Sequence, residues 1–242
     1  MEDYSYEIKK LRRYLEQSER VVFFGGAGVS TDSGIPDFRG GSGLYSDGSG
    51  AEYFLSRECL IDEPERFFEF YRENMLYPDA EPNFTHKFLA RLEKEGKLSA
   101  VITQNIDGLH QKAGSENVIE LHGTVSRCYC MSCNREHPAE SISQTDGVPR
   151  CECGGVIRPD VTLYGEALDS EAFSQAESEI EEADLLIVGG TSLTVNPAAS
   201  LITAFGGTRL VIINLSPTPY DPYAAIKLSA PLSEVFEELL QM

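Results

Sequence analysis

The chain is predicted to be an α/β protein built on a doubly wound parallel sheet, and three observations predict it. Five short runs rich in Val, Ile and Leu are continuous rather than alternating, the pattern of strands buried on both faces of a parallel sheet. Amphipathic stretches of helical length lie between them, so strand and helix alternate. At 242 residues, 41% of them hydrophobic, the chain suits one large domain or a core domain with a small satellite, and leaves no room for two full domains.

The elements follow in order. A helix is expected over 4–17, then the strand "RVVFF" (20–24), which runs into the glycine-rich "GGAGVSTDSGIPDFRGG". The Gly/Ser-rich 40–50 is expected to be a mobile surface loop. Helices follow over 62–76, with Asp62 as N-cap and Glu65 three residues on, and over 82–95. "SAVIT" (99–103) and "NVIEL" (117–121) are strands. Helix 169–182, strand "DLLIVG" (184–189), helix 196–205, strand "RLVIIN" (209–214), a sixth candidate strand "AIKLS" (225–229) and helix 231–241 complete the pattern. Residues 126–158 break this rhythm. They hold five of the six cysteines, namely Cys128, Cys130, Cys133, Cys151 and Cys153, with no strand or helix of ordinary length, and read as an inserted module organised by something other than an apolar core.

Charge and composition exclude several classes. A net charge of −19, from 39 acidic and 20 basic residues, repels phosphate backbones and anionic lipid, so neither nucleic acid nor a membrane is expected as a partner. The N-terminus "MEDYSYEIKKLRRYLEQ" lacks the apolar stretch of a signal peptide, and no apolar run reaches the roughly 18 residues of a spanning helix, so a cytoplasmic protein is expected. In a reducing compartment six cysteines are metal ligands or buried thiols rather than a disulfide framework.

Ligands of an open parallel sheet bind beyond the carboxyl ends of its strands. Those ends carry polar, glycine-containing segments that would line one cleft with Ser30, Thr31, Asp37, Arg39, Gln104, Asn105, Asp107, His122, Thr191, Ser192 and Asn214. Gly26-Ala27-Gly28 lets backbone amides approach a pyrophosphate, but the third glycine of the dinucleotide fingerprint is replaced by Thr31. No acid follows about 20 residues on to hold a ribose, a role that Asn214 could take instead. His122, between Leu121 and Gly123 at a strand end, is the candidate general base. Asn105 and Asp107 also read as caps for the helix that begins "DGLHQ". Arg39, after a proline-stiffened turn, offers a fork-shaped cation for phosphate. His86, His110 and His137 read as hydrogen-bonded structural residues.

Cys130-x2-Cys133 and Cys151-x-Cys153 form two short-spaced pairs, which suits tetrahedral zinc in the ribbon spacing range. Cys128 is a rival ligand through Cys128-x-Cys130. With sulfur at all four positions no place is left for water, so the zinc is expected to be structural. Cys59 and Cys128 are expected to be buried thiols.

The motifs "GAGVSTDSGIPDFRG", "TQNIDGLHQKAG", "ELHGT", the cysteine pairs, "GGVIRPDVTLYGE", "GTSLTVNPAA" and "IINLS" occur in an order that resembles the sirtuins, NAD-dependent protein-lysine deacylases, in their bacterial type. The resemblance covers nearly the whole chain. It implies a Rossmann-like NAD-binding domain (1–39, 80–125 and 159–242) and a smaller one (40–79 and 126–158) with a helical segment and the zinc module. It implies that Gly26, Ala27, Gly28, Ser30, Thr31, Asp37, Phe38 and Arg39 surround the nicotinamide ribose and phosphates. Gln104, Asn105, Ile106 and Asp107 would form the nicotinamide and ribose pocket, and Gly190, Thr191, Ser192, Asn214 and Leu215 the phosphate and adenosine side.

The implied reaction starts when the acyl oxygen of an acyl-lysine attacks C1′ of the nicotinamide ribose as nicotinamide leaves. His122, with Asn105 as the second catalytic residue, would then deprotonate a ribose hydroxyl that attacks the resulting imidate, releasing lysine and O-acetyl-ADP-ribose. "VTLYGE" (161–166) would pair with the substrate backbone as an added strand. Gly25, Tyr164 and the shortened Cys-x-Cys depart from the common pattern. Residues 66–75 lack the Tyr-x-x-Arg pair of members selective for acidic acyl groups, so an acetyl or other uncharged acyl group on a protein or peptide is the expected substrate, handled by a monomer. Two alternatives stay open on the sequence: mono-ADP-ribosyl transfer, and a non-catalytic sensor of NAD or ADP-ribose.

Overall fold

The computed structural model describes residues 4–37 and 50–241. Nine strands are described: β1 (Val21–Gly25), β2 (Leu98–Thr103), β3 (Val118–Glu120), β4 (Gly123–Cys130), β5 (Glu136–Pro138), β6 (Ile157–Val161), β7 (Leu185–Gly189), β8 (Leu210–Ile213) and β9 (Ile226–Leu228). The α-helices are α1 (Ser5–Gln17), α2 (Ala51–Phe54), α3 (Arg57–Asp62), α4 (Pro64–Asn74), α5 (Phe84–Lys94), α6 (Leu109–Ala113), α7 (Glu140–Ser143), α8 (Ser170–Glu182) and α9 (Leu232–Gln241).

Six strands form one sheet in the order β3-β2-β1-β7-β8-β9, and every pairing in it is parallel. All six strands expected from apolar runs are present. Alternate residues of these runs serve opposite faces, because successive side chains of a strand point to opposite sides. Val21, Phe23, Leu185, Ile187 and Val211 pack beneath Leu11 of α1, Leu89 of α5 and Phe236 of α9. Val22, Phe24, Ile102, Leu186 and Val188 pack beneath Ala176 and Ile180 of α8 and Leu201 of the segment Ala198–Ala204. Helices therefore cover both faces, as the continuous apolar runs require.

A third cluster lies apart. It joins Leu55, Cys59, Phe67, Phe68 and Tyr71 from α2 to α4 with Cys128, Ile142, Ile157 and Leu163 from the cysteine segment and its flanks. Here β4 stands between β5 and β6 in an antiparallel three-stranded sheet.

Three expectations are corrected. Helix 62–76 is two helices: Ser56 caps α3 by accepting from the Cys59 amide, and α4 starts at Pro64, so Asp62 ends one helix rather than capping the next. Proline at the first helical position, where its missing N–H costs nothing, sets that start. Residues 198–204 form a 3₁₀ rather than an α-helix. The cysteine segment does contain a strand of ordinary length, the eight-residue β4, hidden because its register shifts between Thr124 and Cys128 and breaks the period of two. Cys59 and Cys128 are buried thiols, as expected. The 40–49 part of the Gly/Ser loop lies outside the described residues.

Ile187 is fully buried in β7, at the centre of the sheet. Ile187→Ala is expected to lower unfolding stability by about 2–5 kcal/mol, the range for emptying a packed core position. Urea titration checks this, and a loss below about 1 kcal/mol would contradict the central role given to β7.

Candidate active site

Strand order reverses between β1 and β7, where the chain leads away to β2 on one side and β8 on the other. A crevice opens at such a point. The turn after β1 enters it as two short 3₁₀ segments, Ala27–Val29 and Thr31–Ser33. Its backbone touches the loop after β7 directly: the Gly28 amide donates to the Gly190 carbonyl at 2.8 Å. A Cβ on Gly28 would lie 2.7 Å from Gly190 Cα, and one on Gly190, at φ 61°, would lie 2.6 Å from the Gly28 carbonyl carbon. Only glycine fits at both.

The end of β2 supplies the next wall. Gln104 Oε1 accepts from the Thr191 hydroxyl at 2.8 Å, tying β2 to the β7 loop. Its Nε2, buried, has no partner among the described residues. Ser30 donates to Asp107 at 2.6 Å and accepts from Asn105 Nδ2 at 3.0 Å, so the turn and the β2 end share one polar chain. Asp107 also accepts from the Leu109 amide at 2.9 Å, but the N-cap of α6 is Gly108, so neither Asp107 nor Asn105 is the cap expected there. Ile106 joins the third apolar cluster and its carbonyl accepts from Val125, so it bridges cleft and small sheet.

His122 follows β3. Its Nδ1 lies 2.9 Å from the Gln104 carbonyl, which can only accept, so Nδ1 carries the proton and Nε2 keeps the lone pair. Burial lowers its pKa from the ordinary histidine value, while the bond to Gln104 opposes that. The ring is neutral at neutral pH and presents a base.

Other candidates stand further apart. Thr31 bonds back to the Gly28 carbonyl, Ser192 to Thr194, and Asn214 Nδ2 to the Ser216 carbonyl, while Leu215 is 68% exposed. Asn214 remains joined to the sheet through its amide, which donates to Leu228. Asp37 is the last described residue before the gap; Phe38 and Arg39 lie outside the described residues.

Two features were not anticipated. Asn83 caps α5 and, through Nδ2, donates to the Val29 carbonyl of the turn at 2.7 Å. An Asn between a proline and an apolar run was the available signal. His86 and His110 face each other with ring centroids 4.7 Å apart, and neither is fully hydrogen-bonded. His86 Nδ1 accepts from the Asn83 amide, but its Nε2 has no partner among the described residues, nor has either nitrogen of His110 or Nε2 of His137. This corrects the reading of all three as satisfied residues. Packing of α5 on α6 against Phe23 drives the first pair inward, where few acceptors remain.

The four thiols sit away from the cleft. Their sulfurs all lie within 4.8 Å of one another, with Cys130 to Cys153 at 3.5 Å and Cys133 to Cys151 at 3.8 Å. Tetrahedral zinc with bonds of about 2.3 Å needs sulfurs about 3.8 Å apart. The cluster fits that ion, with Cys128 outside it. For NAD, the fit rests on the glycine-walled crevice and the unpartnered amide of Gln104.

A crevice at the strand-order reversal, a base-form histidine beside it and a separate thiol cluster define a nucleotide-binding α/β protein with a metal-type module. The chain belongs to the Sir2 family, whose sequence model matches residues 26–197. An NAD-dependent protein deacetylase of Cutibacterium acnes is 54% identical over 217 residues, covering 88% of this chain and 89% of that protein. Another, from Clostridium acetobutylicum, is 48% identical over 240 residues, covering 97% and 98%. A Sir2 structure with a deacetylated p53 peptide and 3′-O-acetyl-ADP-ribose superposes with a TM-score of 0.90 at 40% identity, covering 97% of each chain. A Sir2 complex with a p53 peptide and NAD+ gives 0.86 at 40% identity, again covering 97% of each. No helix among the described residues is long and apolar enough to cross a membrane.

Burial holds the pKa of His86 down to about 4, against a raising effect of Asp107, and that of His110 down to about 3, helped by His86. The unfolded chain binds these protons near 6.5, so their contribution to stability is present above that pH and is lost as pH falls through 6.5 toward 4 and 3. Each ring should add about 1.4 kcal/mol per pH unit to the slope between these limits. Urea midpoints from pH 7.5 to 4.5 check this, with a shallower slope expected for His110→Phe; identical slopes would contradict it.

Proposed function

We propose that this chain is an NAD-dependent protein-lysine deacetylase. The observation that carries the reading is the tautomer of His122: the Gln104 carbonyl holds Nδ1–H, leaving Nε2 as a base at the mouth of the crevice. When bound, NAD supplies a ribose carbon from which nicotinamide can leave and an ADP-ribose that accepts the acyl group, giving O-acetyl-ADP-ribose.

The residues then divide the work. Gly26, Ala27 and Gly28, with Ser30, Thr31 and Asp37 beside them, line the phosphate and ribose side; the Gly26 and Gly28 amides are spent on the Gly189 and Gly190 carbonyls, so an anion is left to the other N–H groups of the turn. Gln104, Asn105, Ile106 and Asp107 hold the nicotinamide side, and Asn105 assists catalysis. Gly190, Thr191, Ser192, Asn214 and Leu215 hold the adenosine side, with Phe38 and Arg39 completing the site from the segment outside the described residues. His122 takes a ribose hydroxyl proton at Nε2. The Val161–Glu166 segment pairs with an acetyl-lysine protein or peptide.

Cys130, Cys133, Cys151 and Cys153 hold one structural zinc. The third apolar cluster supports assigning 40–79 and 126–158 to a smaller unit and the rest to the NAD-binding unit. The net charge of −19 supports a partner that is not nucleic acid. We read the protein as a cytoplasmic monomer.

His122→Ala is expected to lower deacetylation of an acetyl-lysine peptide by about 10²–10⁴-fold while ADP-ribose binding persists. Nicotinamide release and mass spectrometry of the peptide check this. Gain of ADP-ribose on the peptide without loss of acetyl would sink the deacetylase reading.

Elemental analysis is expected to find about one zinc per chain, and Cys130→Ser to lose it. Circular dichroism and thermal melting should then show the β4–β6 sheet destabilised; zinc loss with an unchanged melt would contradict a structural role.

A further inference from the structure

Val161, Thr162 and Gly165 line an open groove of about 930 Å³, together with Ala172 and Gln175 of α8. An ion pair between a buried arginine and a partly buried glutamate holds this segment in shape. Arg158, 5% exposed, grips both carboxylate oxygens of Glu166, with Nη2 at 2.8 Å from Oε2. Nη2 also donates to the Val161 carbonyl at 2.7 Å, and Nε to that of Pro159 at 3.3 Å. The guanidinium lies over the Tyr129 ring at 5.6 Å. From the other side, Glu166 Oε2 accepts the Leu163 amide at 3.0 Å.

These bonds close residues 158–166 into one loop with its backbone tied from within. The loop reaches the base directly, since the Thr162 amide donates to the His122 carbonyl at 2.9 Å. Its far end is fastened as well, with the Tyr164 amide bonded to Leu55 and its carbonyl to Arg57.

Apolar residues of similar volume would fill the site of a buried ion pair with equal or greater stability in many proteins, because desolvation of two charges offsets much of their attraction. Stability is therefore a poor account of this pair. Geometry is a better one: a planar, bidentate fork fixes direction as well as distance.

We propose that Arg158 and Glu166 are positioning residues that set the backbone of Val161–Gly165 for the acyl-peptide and hold it in register with His122. The proposal rests on the deacetylase reading. Neither side chain touches the reacting atoms. Their effect falls on the peptide, because the loop they close is separate from the Gly28–Gly190 crevice.

The test compares the wild type with Arg158→Met/Glu166→Met and, as a milder change, Arg158→Lys, which keeps charge but loses the fork. Steady-state kinetics with an acetyl-lysine peptide and with NAD are measured on the zinc-loaded protein, together with melting and ADP-ribose binding. In the double variant the peptide KM is expected to rise about tenfold or more, with KM for NAD, ADP-ribose affinity and zinc content unchanged. Arg158→Lys should fall between. A peptide KM within twofold of the wild type overturns the proposal, and so does a parallel loss of peptide and NAD binding. If the double variant does not fold, Arg158→Lys and Glu166→Gln are read by the same criterion. A wild type that releases no nicotinamide fails the deacetylase reading instead, and titration of the acetyl-lysine peptide onto the three proteins still tests the clamp.

Discussion

The site depends on the contact between two backbones, Gly28 on the turn after β1 and Gly190 on the loop after β7. Their hydrogen bond at 2.8 Å and the absence of room for a Cβ on either make the crevice at the strand-order reversal narrow and its walls bare. Everything polar is then hung from the two flanks. Thr191, next to Gly190, meets Gln104 from β2; Ser30, two residues past Gly28, meets Asp107 and Asn105. Larger residues at these glycines would part β1 from the β7 loop and separate both pairs.

The turn after β1 is also tied to His122, which follows the outer strand β3. Its ring is oriented by the Gln104 carbonyl, and the Gln104 amide donates to the Gly25 carbonyl at 3.0 Å, at the end of β1. Orientation of the imidazole thus runs through one residue back to the end of β1, where the glycine turn begins. Burial then lowers its proton affinity without any charged partner among the causes, so the ring stays neutral and its Nε2 lone pair available.

How far the sequence disclosed this structure can be judged residue by residue. The sheet strands were plain because burial on both faces leaves continuous apolar runs, and the thiol cluster was plain because metal ligands need fixed spacing. Strand β4 was obscured by its bulge and by cysteines serving as core residues. Pro64 outweighed Asp62 as a helix start because proline fixes φ, whereas an acidic cap is only one of several ways to satisfy a helix end. The unpartnered His86 and His110 were unreadable, since which ring nitrogen finds an acceptor depends on how α5 and α6 meet. Arg158 and Glu166 gave no signal either: Arg158 lies in β6 and Glu166 beyond its end, and the turn of the chain between them, not a period, brings them together.

Electrostatics set the last constraint. The protein carries −19 and NAD carries phosphates, so long-range attraction works against the pair. Residues 26–37, 104–107 and 190–194 contain no lysine or arginine. Anion binding there has to come from backbone N–H groups and short 3₁₀ ends, which act at contact distance and lose little to the distant field. The nearest cation in sequence is Arg39, just past Pro36 and Asp37. The same segments carry Asp32, Asp37 and Asp107, so the N–H groups act against local acidic charge as well as against the distant field.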